Sequence, residues 1–102
     1  MTPDHRPQLV FFTSHRSGPA RRMESLLAHI ARKERGRLRV SKVDIDERPD
    51  LAERFRVDDV PALALVVEQR VVSRLEGRAT APRIEAMLEP HLPGAEPAEA
   101  VA

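Results

Sequence analysis

Residues 15–20, which read His-Arg-Ser-Gly-Pro-Ala, hold the side chains best suited to chemistry. Ser17 follows a short apolar run over residues 8–13 and precedes Pro19, which suits the first turn of a helix. A hydroxyl at this place either caps the helix or acts as a nucleophile with His15 as its base. No carboxylate is expected to orient the His15 imidazole, as a catalytic triad requires. We therefore interpret His15 as an exposed loop residue and Ser17, or the adjacent Gly18, as the helix cap.

Metal binding is indicated neither by the histidines nor by a pair of nearby carboxylates. Asp44 and Asp46 stand at the end of a predicted strand, where we interpret them as solvated or as capping the next helix. The histidines are scattered over tails, a loop and helices without the spacing of metal ligands, at His5, His15, His29 and His91. We expect no metal and no cofactor.

The composition is typical of one globular domain, with 102 residues, of which 41% are hydrophobic and 32% charged. Cysteine is absent from the sequence, so nothing favours an oxidising compartment, and we expect a cytoplasmic location. No apolar run approaches the ~18 residues of a membrane span. The three aromatic residues are all Phe, which leaves no stacking platform for nucleic acid. We expect neither a membrane nor a nucleic acid as a partner.

Hydrophobic spacing predicts an α/β domain with the element order β-α-β-α-β-β-α. The first strand, 8–13, alternates too little for an exposed strand and is expected to be buried on both faces. The next helix has Met23 and Ile30 on one face and is expected to end at Gly36. The remaining predicted elements are a strand over 38–45, a short helix from Pro49, a strand over 62–67, a tight connection at 68–70, a strand over 71–76, and a helix that Thr80 caps and Pro90 ends.

Several of these features stand at the intervals of a known family. Ser17-Gly18-Pro19-Ala20 stands where thioredoxins carry Cys-Gly-Pro-Cys, and the later features follow in step: Lys42, Asp44-Ile45-Asp46, Val60-Pro61 and Gly77. The chain therefore resembles the thioredoxin family over residues 8–92. The resemblance implies a minimal thioredoxin-like fold, a four-stranded mixed sheet flanked by three helices. Residues 1–7 are expected to be flexible, and residues 93–102, rich in Pro, Ala and Glu, to form a disordered tail.

Departures from the family pattern remove the chemistry that defines it. Ser17 and Ala20 replace both thiols, and a serine hydroxyl stays protonated at neutral pH and cannot exchange with a disulfide. The buried acid that resembles a proton acceptor in this family falls on Phe11, and the tryptophan before the first cysteine falls on Arg16. Lys42 is retained without its usual acidic neighbour. The pattern predicts a protein that is not a thiol–disulfide oxidoreductase.

The binding surface implied by the resemblance needs no sulfur. Val60-Pro61 is similar to the cis-proline site of the family, where the main chain before the proline pairs with an extended segment of a partner. Gly77 is similar to the glycine that keeps this surface open. Asp58-Asp59 replaces the small or basic residues usual there, which alters the charge preference for a partner.

Two hypotheses for the function follow. The first is a redox-inactive protein-binding module, an adaptor or chaperone-like protein, whose groove is formed by Ser17-Gly18-Pro19 and Val60-Pro61. A cationic rim would favour a protein or extended peptide of acidic character, and its members would be Arg16, Arg21 and Arg22. The alternative is a hydroxyl-dependent transferase of the glutathione type that uses Ser17, since some thioredoxin-fold transferases activate the glutathione thiolate with a hydroxyl.

Overall fold

The computed structural model describes residues 5–94, whose strands and helices follow the predicted order. The strands are β1 (Gln8–Thr13), β2 (Arg39–Asp44), β3 (Ala62–Val67) and β4 (Arg70–Glu76). The helices are α1 (Gly18–Lys33), α2 (Pro49–Arg54) and α3 (Ala81–Leu88), and a 3₁₀ turn over Glu89–His91 follows α3.

The four strands form one mixed sheet in the order β2-β1-β3-β4. β1 runs parallel to β2, while β1 with β3 and β3 with β4 are antiparallel. This arrangement confirms the minimal thioredoxin-like fold. The register aligns Thr13 with Asp44 and aligns Ala62 with both Phe12 and Glu76. As a result, the segments that follow β1, β2 and β4 and the segment that precedes β3 all lie at one end of the sheet.

Two hydrophobic clusters, one on each face of the sheet, hold the helices in place. Leu9 and Phe11 of β1 point into the larger cluster, which α1 and α3 cover with Ile30 and Ile84 among others. The intervening residues of β1 point into the smaller cluster on the α2 side, whose buried members are Val10, Phe12, Ala62 and Ala64. Five of the six residues of β1 are buried, so the prediction of a strand buried on both faces is confirmed.

The end of α1 differs from the prediction. The helix ends at Lys33 rather than at Gly36, because Glu34 turns the chain earlier. The Glu34 carbonyl accepts hydrogen bonds from the N–H groups of Arg37 and Leu38, each at 2.8 Å, and its carboxylate accepts two more from the Arg37 guanidinium. A turn fixed by these bonds, rather than Gly36, ends the helix.

The hairpin between β3 and β4 is tighter than predicted. Glu68 and Gln69 form the turn with positive φ angles of 50° and 68°, and Arg70 already pairs with Val67. Such two-residue turns usually carry Asn-Gly or a similar pair, so the residue types Glu-Gln did not indicate that the predicted connection over 68–70 is shortened to two residues. A register shift at Leu65/Val66 marks a bulge in the β3–β4 pair.

The predicted flexible N-terminus and disordered tail lie largely outside the described residues, which exclude 1–4 and 95–102. Pro7 is described and buried, and its carbonyl accepts a 2.9 Å hydrogen bond from the N–H of Arg39. Within residues 5–94, no helix has the length and apolar character needed to cross a membrane.

Candidate functional site

The start of α1 is fixed by Ser17. Its Oγ accepts a hydrogen bond from the N–H of Ala20 at 3.1 Å, and its carbonyl accepts one from the N–H of Arg21 at 3.0 Å. Pro19 lies in the first turn, where a missing N–H costs nothing. Ala20 is fully buried beneath the turn. Ser17 is therefore the N-cap of α1, and its hydroxyl takes the place that a thiol has in the redox-active pattern.

The expectation that no carboxylate orients His15 is wrong. The His15 Nδ1 lies 3.4 Å from Asp44 Oδ2 and 3.6 Å from Asp46 Oδ2. The parallel pairing of β1 and β2 causes this proximity, because it aligns Thr13 with Asp44. Within residues 5–94, however, no hydrogen bond joins His15 to Ser17. The histidine side chain is 70% exposed, so the nucleophile–base half of a triad is not assembled.

Arg16 is held by an ion pair rather than left free at a cationic rim. Its guanidinium lies 2.7 Å from Asp46 Oδ1, while Asp46 Oδ2 accepts a 2.5 Å hydrogen bond from Ser14 Oγ. The Ser14 Oγ in turn accepts a bond from the N–H of Arg16 at 3.1 Å. The hydrogen bond from Arg16, and next the one from Ser14, lower the pKa of the Asp46 carboxyl below its ordinary value. These contacts tie the loop after β1 to the end of β2.

The cluster of His15, Asp44 and Asp46 was not expected from the sequence. One ligand atom from each residue lies within 4.8 Å of the others, which is close enough to surround a cation. Both oxygens of Asp46 already accept hydrogen bonds, from Arg16 and from Ser14. Asp44 Oδ1 accepts a further bond from the N–H of Asp46 at 2.8 Å. A cation would compete with Arg16 here, so we interpret the cluster as a brace for the loop.

Val60 and Pro61 lie at the same end of the sheet as Ser17. The peptide bond between them is cis, and the buried Pro61 accepts a 2.9 Å hydrogen bond at its carbonyl from the N–H of Gly77. Gly77 has a φ of 81°, a conformation that residues with a Cβ seldom adopt. Among residues 5–94, neither the N–H nor the C=O of Val60 has a hydrogen-bond partner. The Val60 main chain therefore offers both a donor and an acceptor beside the cis proline.

Phe11 occupies the position at which the family resemblance implies a buried acid, and it packs into the core there. Phe11 is 1% exposed and is aligned with Lys42 of the neighbouring β2. The Lys42 ammonium lies 3.8 Å from Glu24 Oε1, so α1 supplies the acidic neighbour that the sequence pattern lacks. This contact is at the surface, since the Lys42 side chain is 59% exposed. Within the described residues, no carboxylate is buried in this part of the sheet.

Arg78 is a candidate site residue that the sequence analysis missed. It follows Gly77 directly and lines a cavity of about 610 Å³ together with Arg22 of α1. The only sequence signal for it was its position beside Gly77, because the fold alone brings residues 56 positions apart to one cavity. Arg21, the other predicted rim residue, is exposed and lies near Gly18 and Arg22 at the start of α1.

A known family model matches most of this chain. The family model for thioredoxin matches residues 2–90. The chain belongs to the thioredoxin family. It keeps the family's sheet and its proline position, but the sequence contains no cysteine to carry out thiol chemistry.

The chain is similar to curated proteins named as thioredoxins or thioredoxin-like proteins. Thioredoxin 1 of Chlorobaculum tepidum is 35% identical over 71 residues, which cover 70% of each chain. The thioredoxin-like protein slr1139 of Synechocystis is 31% identical over 87 residues, 85% of this chain and 80% of the relative. A bifunctional thioredoxin reductase/thioredoxin of Mycobacterium leprae is 33% identical over 73 residues, and the match spans 16% of that longer protein.

Solved structures agree with this assignment. The germline-specific thioredoxin Deadhead of Drosophila melanogaster has a TM-score of 0.80 at 26% identity, with 86% of this chain and 83% of that chain covered. Thioredoxin NaTrxh of Nicotiana alata has a TM-score of 0.81 at 26% identity, with coverages of 86% and 75%. Both likenesses confirm the fold class predicted from the sequence.

Replacing the Ser17 hydroxyl should weaken the fold of this thioredoxin-family chain. We expect Ser17→Ala to lower the free energy of unfolding by about 1 kcal/mol, because the N–H of Ala20 loses its acceptor. Ser17→Asp should restore it, since a carboxylate caps a helix and suits the positive end of the dipole. Urea unfolding measures both. Ser25→Ala, at an exposed position of α1, is the control and should change the free energy by less than about 0.5 kcal/mol. An unchanged Ser17→Ala stability would contradict the capping role.

The hydrogen bonds that Asp46 accepts from Arg16 and Ser14 should make the free energy of unfolding depend on pH in the acid range. The folded-state pKa of Asp46 lies below its unfolded value of about 3.9, so Asp46 stabilises the fold at pH values above about 3.9. This stabilisation is lost as the pH falls through the folded-state pKa. We expect Asp46→Asn to be less stable than wild type at neutral pH and to lose less stability on acidification. Urea unfolding at a series of pH values tests this. Asp59→Asn, which changes an exposed carboxylate, is the control and should keep the wild-type pH profile of stability. An equal effect of the two variants would contradict the stabilising role of Asp46.

Proposed function

We propose that this chain is a redox-inactive member of the thioredoxin family that binds extended segments of protein partners, as an adaptor or chaperone-like protein. The observation that carries the proposal is the Val60 main chain, whose N–H and C=O lack partners among residues 5–94 beside the cis Pro61. A segment of a partner pairs with such a main chain as an additional strand. Affinity of this kind comes from main-chain hydrogen bonds and does not require a thiol.

The surroundings of Val60 support recognition of an extended segment. Gly77 carries no side chain, and no described atom outside Gly77 and its two chain neighbours lies within 4 Å of the position that a Cβ would take there, so the surface beside Pro61 is open. Asp58 and Asp59 are exposed just before Val60. Two carboxylates there favour a basic or neutral residue at that end of the bound segment, because like charges at an interface repel.

The transferase alternative is the less well supported of the two functions. It requires the Ser17 O–H to donate to a thiolate, and within residues 5–94 the only hydrogen bond of Ser17 Oγ is the one it accepts from the N–H of Ala20, so no described group orients that O–H. The proximity of His15 to Asp44 is the one observation in its favour, since a carboxylate can orient an imidazole. The Ser17 hydroxyl has no bond to that histidine within residues 5–94, which leaves the chain of groups incomplete.

Disrupting the Val60 main-chain site should abolish partner binding. We expect Val60→Asp to lose most partners that the immobilised wild-type protein captures from a lysate, because a third adjacent carboxylate and a displaced main chain oppose strand addition. Val71→Asp is the matched control, since Val71 is 44% exposed on β4, away from the site. Quantitative mass spectrometry compares the three captures, and urea unfolding checks that both variants fold. The same set of proteins on wild type and Val60→Asp would contradict the proposal.

Thiol chemistry should be absent from the wild type and recoverable in part. We expect no reduction of insulin disulfides above the dithiothreitol background, whereas Ser17→Cys with Ala20→Cys should give low activity at the helix start. The rate should stay low because Phe11 offers no proton acceptor. A wild-type rate equal to that of an ordinary thioredoxin would overturn the redox-inactive assignment. Glutathione conjugation that Ser17→Ala abolishes would replace the binding module with the transferase.

A further inference from the structure

A second surface adjoins the Val60 site, between the start of α1 and the segment that precedes α3. This surface is the cavity of about 610 Å³ that Arg22 and Arg78 line, and we name it the Arg22–Arg78 groove. Its lining is mostly apolar, with Pro19, the buried Met23 and the half-buried Leu26 and Ala79. Leu26 and Ala79 also pack against the larger hydrophobic cluster, so the floor of the groove is a fixed part of the core.

The charged side chains that line the groove are both positive. Arg22 and Arg78 are both exposed, and no acidic residue lines the groove with them. Within residues 5–94, neither guanidinium has an ion-pair or hydrogen-bond partner. Other arginines of the chain, such as Arg16 and Arg48, are paired with carboxylates at 2.7 Å and 3.0 Å. Two unpaired guanidinium groups beside an apolar floor therefore lack a complementary anion.

The Thr80 hydroxyl adds a polar group to the same lining. Thr80 occupies the N-cap of α3, as predicted, but its side chain makes no capping hydrogen bond, so the predicted cap is only positional. The hydroxyl is therefore not engaged by the helix and can donate to an acceptor in the groove. An acceptor that also carries negative charge would satisfy Thr80 and the two arginines together.

We infer that the Arg22–Arg78 groove binds an acidic peptide segment in which an apolar side chain is flanked by carboxylates. The apolar side chain would cover Met23, Leu26 and Ala79, and the carboxylates would pair with Arg22 and Arg78. This inference rests on the proposed function, since it names the chemistry of the segment that the module binds. The two surfaces lie close together, because Arg78 follows Gly77 and the N–H of Gly77 donates a hydrogen bond to the carbonyl of Pro61.

The binding test uses a fluorescent peptide of sequence Glu-Asp-Phe-Leu-Asp-Glu with blocked termini, and fluorescence anisotropy on the full chain. We expect Arg22→Gln and Arg78→Gln each to weaken binding about fivefold, as for a partly exposed ion pair. Arg32→Gln is the matched control, because Arg32 is exposed on the same helix about 15 Å away and makes the same change of charge. It should weaken binding by less than about 1.5-fold. Equal losses of peptide affinity in all three variants would show that only the net charge of the protein matters, and would overturn the inference.

Two altered peptides and one small anion test whether the groove requires both the carboxylates and the apolar side chains of the segment. Replacing the carboxylates by amides, or Phe-Leu by Ser-Ser, should each abolish measurable binding, whereas inorganic phosphate should not displace the acidic peptide. Displacement by phosphate, or full binding of either altered peptide, would overturn the inference. Circular dichroism checks the fold of each variant, and changed amide shifts of Ala79 and Thr80 on adding the peptide locate it in the groove.

Val60→Asp separates this inference from the proposed function. If Val60→Asp abolishes partner capture while Arg22→Gln and Arg78→Gln leave peptide binding unchanged, the main-chain site stands and the groove does not. If the arginine variants weaken the peptide while Val60→Asp captures the same partners as wild type, the groove stands and the main-chain site does not.

Discussion

The burial of β1 on both faces is the constraint on which the rest of the structure depends. Phe11 and Phe12 are almost wholly buried in opposite clusters, so a shift of one residue would exchange the contents of the two faces. That fixed register aligns Thr13 with Asp44 and Phe12 with Ala62. The ends of three strands meet there, and the loop that leads to α1 starts from the same place.

Packing and ion pairs replace, position by position, the groups that thiol chemistry would need. Phe11 fills the core where an acid would accept a proton, and Arg16 is bonded to Asp46 where a tryptophan would stand. Ser17 keeps the start of the helix intact without a thiol. Each replacement is satisfied by local contacts, so the fold is retained in a sequence that contains no cysteine.

The sequence predicted most elements because each carries a local signal. β1 and β3 are continuous apolar runs, α1 has a helical stripe that begins after Ser17 and Pro19, and the family spacing located Val60 and Pro61. The interactions that were missed depend on contacts between distant residues. The approach of His15 to Asp44 requires the parallel pairing of β1 with β2, and the common cavity of Arg22 and Arg78 requires the packing of α1 beside the segment before α3. The connection predicted over 68–70 is a two-residue turn at Glu68-Gln69, a shortening that the sequence did not indicate because neither residue type favours positive φ.

The hydrogen bonds among Ser14, Arg16 and Asp46 have an entropic consequence for recognition. Ordering the main chain of one residue costs roughly 1–2 kcal/mol of conformational entropy. The loop after β1 is already ordered by its side-chain and main-chain bonds to Asp46 and Ser14, before any partner arrives. A partner that docks beside this loop would therefore lose little affinity to the ordering of its receptor, which favours the proposed binding of short extended segments.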